Sequence, residues 1–223
     1  MLKYNEFIEK VNEAGFLTPF TNYFGSEMKD QQYTGDPETD PRVWNTRAAQ
    51  EKKLACGYFF NGKPGGFIAP HFYSIFVDAF KPSMTMNERY ESGKLGEYEQ
   101  KIWSLLDKAG RPMGWHEFWQ HYGINSKEER KELEAALFRL QMTFDVAVSG
   151  TAVILKKTGE VLSDCIGYDK VDSWVPSEWM KMNPRMKHEE ALEIIYRQAE
   201  KISNQGDAQK AFKQSLKLYK PFC

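Results

Sequence analysis

Glu97-Tyr98-Glu99-Gln100-Lys101-Ile102-Trp103-Ser104-Leu105-Leu106-Asp107-Lys108-Ala109 opens the stretch, residues 97–174, whose reading decides the fold. Tyr98, Ile102, Leu105, Leu106 and Ala109 recur at the spacing of one helical face, and Gly110 followed by Pro112 supplies a stop. Trp115, Phe118, Trp119 and Tyr122 repeat that spacing on a shorter second helix, which Gly123 ends. Ser126 caps a third helix, with Glu129 three residues on to complete a capping box. Leu133, Ala136, Leu137 and Leu140 give that helix one buried stripe. Beyond Phe144 the period becomes that of extended chain. Val146, Val148, Val153 and Ile154 lead to a Lys156-Lys157-Thr158-Gly159 turn, and residues 165–175 return as a second strand. Three helices followed by a hairpin is the order of a winged helix.

Working outward, the chain reads as mainly α with small β-hairpins, an α+β fold in three parts. Residues 1–90 form an aromatic-rich helical region with a hairpin, 97–175 the winged helix, and 176–223 a C-terminal helical extension. The first helix covers 4–14, with Phe7, Ile8 and Val11 inward and Gly15 as its cap. Residues 16–33 read as an irregular aromatic linker. A helix over 41–55 follows Asp40 and Pro41, a natural N-cap and first-turn pair. Gly57-Tyr58-Phe59-Phe60 and Gly66-Phe67-Ile68-Ala69 form a hairpin joined through Asn61-Gly62. A short aromatic helix over 70–80 and a polar connection over 81–96, the candidate domain boundary, complete the N-terminal part. Beyond the hairpin, helices are expected over 188–203 and 207–218.

Thirty Lys and Arg against 31 Asp and Glu leave a net charge of −1, which argues against a sequence-independent nucleic-acid coat. With 14% aromatic residues the chain can bury a substantial core. No apolar run approaches the roughly 20 residues that cross a bilayer, and the start reads as a charged amphipathic helix rather than a signal peptide. Cys56, Cys165 and Cys223 are odd in number and far apart, as expected of reduced thiols in a cytoplasm. No cofactor fingerprint is present. His116 and His121 fall five residues apart, roughly 140° around a helix, so they do not chelate one metal ion in the manner of a zinc-protease helix.

The most unusual local sequence is Thr34-Gly35-Asp36-Pro37-Glu38-Thr39-Asp40-Pro41. Its acids suit two readings. As chemistry, Asp36 or Glu38 orients an attacking water, with Asp40, Trp44, Tyr58 and His71 forming the pocket. As structure, Asp40 caps the next helix while Gly35-Asp36-Pro37 makes a turn. On the third helix of the winged helix, Lys127, Arg130, Lys131 and Arg139 are offset by Glu128, Glu129, Glu132 and Glu134. Its face opposite the leucines carries Lys131, Ala135, Phe138 and Met142, a surface that another part of the protein is expected to cover. The candidate phosphate contacts are Lys156 and Lys157 at the hairpin turn and Lys210, Lys213 and Lys217 near the C-terminus. From Trp179 onward nine Lys and Arg meet five acids, a local +4.

The Gly15-Phe16-Leu17 start, the Thr34 to Pro41 motif followed by Trp44, the Gly57 to Ile68 hairpin and the Leu140-Gln141-Met142 helix end resemble a family of short bacterial proteins. That family is related to the AlkZ/YcaQ-type winged-helix DNA glycosylases. The resemblance covers about residues 5–200 and implies a winged-helix fold and a connection to DNA. The glycosylases excise alkylated bases through a Gln-x-Gln motif. Here Gln31 and Gln32 are adjacent, and Thr143 stands where a second glutamine would follow Gln141. The expectation is a cytoplasmic, DNA-associated protein, a reduced relative of base-excision glycosylases, with no cofactor. The alternative is a non-catalytic module whose aromatic N-terminal half binds a protein or small ligand.

Overall fold

The computed structural model describes residues 2–17, 34–59, 65–155, 158 and 160–202. Lys156, Lys157, Lys210, Lys213 and Lys217, the Gln31-Gln32 pair, the Asn61-Gly62 turn and the expected last helix lie outside them. Helix α1 (Tyr4–Ala14) buries Tyr4, Phe7, Ile8 and Val11 and ends at Gly15. Gly15 sits at φ +80°, and a Cβ there would lie 2.5 Å from the Phe72 ring, so only glycine fits. The turn lets β1 (Phe16–Leu17) fold back as a strand, where the sequence suggests a linker.

Helix α2 (Pro41–Gln50) stops short of the expected 41–55. Lys52 adopts φ +55°, and Lys53 N returns to Ala48 O at 2.9 Å, a wrap that closes the helix end. The chain is thereby freed for β2 (Ala55–Gly57), which pairs antiparallel with β3 (Gly66–Ile68) in the register Cys56↔Phe67. The first arm of the hairpin thus begins two residues earlier than its sequence suggests, and β1 adds a third strand in the order β1-β3-β2. Helix α3 (Pro70–Phe80) follows.

Inside the expected polar connection lies α4 (Met86–Glu91), opened by a capping box between Thr85 and Glu88. It carries Arg89 into the interior, 2% exposed, to meet Asp145 at 2.7 Å. Then come α5 (Glu97–Ala109), β4 (Met113–Gly114), α6 (Trp115–Tyr122), α7 (Lys127–Met142), β5 (Val146–Leu155) and β6 (Val161–Lys170). Ser126 and Glu129 form the capping box of α7, and Gly123 caps α6 in the left-handed region. The second sheet is antiparallel in the order β4-β6-β5. Its return strand spans 161–170 rather than 165–175. Val171 N donates to Asp145 O, opening the short helix α8 (Val171–Trp174) that buries Val171 and Trp174. Helices α9 (Ser177–Lys181) and α10 (His188–Ile202) complete the described chain.

The architecture is mixed α+β, with ten helices and two small three-stranded antiparallel sheets among the described residues. Buried side chains form one cluster reaching from Tyr4 to Ala199. Helix α10 lies along α3, and Gln198 Nε2 donates to Ala14 O at 2.8 Å. No helix among the described residues is long and apolar enough to cross a membrane.

Candidate functional site

A cleft opens where the end of β2 approaches α7. Gly57 has φ +153°, and a Cβ there would stand 2.7 Å from Gln141 Oε1. Glycine therefore allows the strand to touch the helix. Tyr58 N donates to Gln141 Oε1 at 3.3 Å, and Gln141 Nε2 donates to Leu137 O, one turn back, at 3.2 Å. The Tyr58 ring then rests on Phe138, centroids 4.8 Å apart. Trp115 of α6 and Tyr168 of β6 supply the other aromatic walls, and Lys131 and Glu134 of α7 are its charged lining. The cleft is open on one side and has a volume of about 610 Å³, within the range of small-ligand sites. A narrower recess of about 330 Å³, sharing Tyr58, Gln141 and Tyr168, continues toward Asn45 and Gly66.

The chemistry of the cleft follows from its lining. Gln141 is nearly fully buried, and each end of its amide has one hydrogen bond within the protein. One N–H and one acceptor lone pair are left over. Burial pushes the Tyr168 phenol above its ordinary pKa, so it stays a neutral hydroxyl. Four aromatic rings and an amide, with Lys131 and Glu134 beside them, suit a flat ring that carries donors and acceptors on its edge.

Tyr58 is the one member of the sequence-derived site that lines this cleft. Trp44 is fully buried, stacked on Phe7 at 4.9 Å, and its indole N–H donates to Pro37 O at 3.1 Å; its ring faces are taken up by the core and not offered to a ligand. His71 is exposed at the start of α3, edge-on to Phe72, where partial burial lowers its pKa. Asp36 and Glu38 are exposed as well. Asp36 Oδ1 accepts from Glu38 N at 3.0 Å, and Glu38 pairs with Arg47 at 2.6 Å, so both serve the turn before α2 instead of entering an aromatic pocket. Asp40 takes the capping role: it accepts from Arg42 N and Gly35 N while gripping the Arg42 guanidinium.

Residues that sequence reasoning passed over come from α6, α7 and β6. The face Lys131, Ala135, Phe138 and Met142 gave a partial signal. Met142 is indeed covered, but Ala135 and Phe138 are only half-buried and form a cleft wall. Another pair is brought together across 49 residues: Cys165 Sγ lies 3.6 Å from His116 Nδ1. Burial, Glu117 and Asp164 raise the thiol, and burial lowers the imidazole, so the contact joins two neutral groups and not a thiolate pair. Among the described residues no three His, Cys, Asp or Glu side chains gather to hold a metal ion.

The acidic turn makes a prediction about pH. The Arg42 hydrogen bond holds the Asp40 carboxyl well below the usual carboxylate range. Partial burial works against ionisation of Glu51, yet hydrogen bonds from Arg47, Lys53 and Tyr4 bring it down to about 2. An unfolded chain protonates such groups near their ordinary values of about 4. Their contribution is therefore complete above that pH and is lost as pH falls toward the folded values. Urea titrations at several pH values from about 5 to about 2 should show the parent losing stability more steeply than Asp40→Asn or Glu51→Gln. Parallel curves would remove these carboxylates from acid sensitivity.

A mixed α+β chain with two small sheets and an aromatic cleft between them is the class that the geometry defines. A family model described as AlkZ related matches residues 1–217, and the chain belongs to that family. No curated protein and no solved structure matches it.

Proposed function

We propose that residues 97–175 are a winged helix and that the chain is a DNA-associated relative of the winged-helix glycosylases, holding a displaced base in the cleft. The order α5, β4, α6, α7, β5, β6, with β4 completing the sheet of the hairpin, supports the fold assignment. Membership of the AlkZ-related family supports the link to DNA. The observation that carries the base-binding part is the cleft itself: Tyr58, Phe138, Trp115 and Tyr168 around the Gln141 amide. Lys156, Lys157, Lys210, Lys213 and Lys217 keep in this reading the role of phosphate contacts that the sequence suggests. The rival, an aromatic N-terminal half that binds a protein or small ligand, is disfavoured because Phe7, Phe16, Trp44, Phe67, Tyr73 and Phe76 are all buried.

A salt-titrated binding assay tests the proposal. Affinity for duplex DNA should fall with a log–log slope of about −0.9 per phosphate contact, and replacing Lys156 and Lys157 with alanine should flatten it. A duplex with one unpaired or alkylated base should bind more tightly than the fully paired duplex of the same length. Equal affinities would take the cleft out of the interaction, and no binding at low salt would sink the DNA reading.

A further inference from the structure

We propose that the preferred ligand is an unpaired strand, one base seated in the cleft and its neighbour stacked outside it on a tryptophan step. This deepens the DNA-binding reading above and rests on it. Trp115 and Trp119 stand one turn apart on α6 with their rings in contact and steeply inclined to each other. Trp115 lines the cleft, so the step begins at its wall and leads outward. Over Trp119 lies the Arg130 guanidinium, 4.5 Å from the ring centroid, and Lys131 lines the cleft one residue further along α7. Both tryptophans are half-buried and so keep part of their rings accessible, although Arg130 already covers one face of Trp119.

The cations here differ from Arg139 on the same helix. Arg139 is tied to Glu99, whereas Arg130 and Lys131 have no carboxylate partner among the described residues. An aromatic path with cations outside any ion pair beside it, Glu134 being the one acid of the cleft lining, is what a single strand can use: ring faces for its bases and positive charge for its phosphates. A paired duplex cannot use it, because its base faces are already stacked on each other. The surface of α7 that a major groove would meet also carries exposed Glu128 and Glu132, which oppose the phosphates on either side. Rings favour the open strand, and the acids disfavour the closed one.

The experiment compares the full chain with Trp119→Leu and Arg130→Gln, binding a labelled short oligothymidylate and the duplex formed with its complement. Tryptophan quenching and anisotropy provide the readouts, and thermal unfolding checks the fold of each variant. The oligothymidylate should bind at least about tenfold more tightly than the duplex and quench tryptophan emission. Trp119→Leu should weaken that binding by about tenfold. Arg130 is exposed, so Arg130→Gln keeps the test valid if the tryptophan variant fails to fold; it should lower the single-strand salt slope by about 0.7. Duplex binding as tight as single-strand binding, or an unchanged affinity and slope in both variants, would overturn the inference while leaving DNA association intact. Absence of binding to either nucleic acid would overturn both.

Discussion

Asp145→Ala is expected to destabilise the protein by about 3–5 kcal/mol, because it strands a buried cation. Arg89 and Asp145 are both enclosed, and Arg89 Nη2 donates to Asp145 Oδ1 at 2.7 Å. Thr143 Oγ1 donates to the other carboxylate oxygen, and Arg89 Nε and Nη1 already have no partner. Without Asp145 the guanidinium would lose its one countercharge in a place water does not reach. Adding Arg89→Met should recover most of the loss, since replacing both members of a buried pair by apolar groups is often close to neutral. A single-variant loss below about 1 kcal/mol in a urea titration would mean that Arg89 escapes to solvent.

The second large effect belongs to Trp44→Ala, for which a loss of about 3–5 kcal/mol is expected. The indole is fully buried, stacked on Phe7 and tilted against Tyr4 at 6.3 Å. Its removal leaves a cavity at the join of α1 and α2 and takes from Pro37 O one of its two donors, the other being Arg47 Nη1. Trp44→Phe should cost much less, keeping most of the apolar contact while losing the hydrogen bond. The same titration separates two roles for this residue: a pocket wall can be cut back with little loss of stability, a core residue cannot. Near-silence of Trp44→Ala would put the ring back among binding groups.

Much of the fold was legible because caps and helical period agree. Gly15 ends α1, Asp40 and Pro41 open α2, and Ser126 with Glu129 opens α7, each a local signal that tertiary contacts did not override. What escaped has physical reasons. β1 and β4 have two residues each, too few to show an alternation. α4 is short and polar, and only its Thr85–Glu88 box announces it. The start of β6 is exposed at four consecutive positions, 161–164, so the period that marks a half-buried strand is missing there. Tyr58 was picked out for the site as an aromatic of the pocket. Phe138, Trp115 and Tyr168 were not, and Gln141 entered only through the resemblance and its comparison with the Gln-x-Gln motif, since the four converge from α7, α6 and β6.

The hydrogen bond from Tyr58 N to Gln141 Oε1 joins a strand end of the first sheet to α7, the helix that leads into β5 of the second. Tyr58 stands on one side of the cleft and α6, α7 and β6 supply the rest, so the space exists only while the end of β2 and α7 stay together. Occupancy and cohesion are then two sides of one equilibrium. A ligand at a hundred times its dissociation constant would hold the join closed by about 2.7 kcal/mol. Seen this way, the cleft is a seam, and whatever fills it acts as a fastener on the whole molecule.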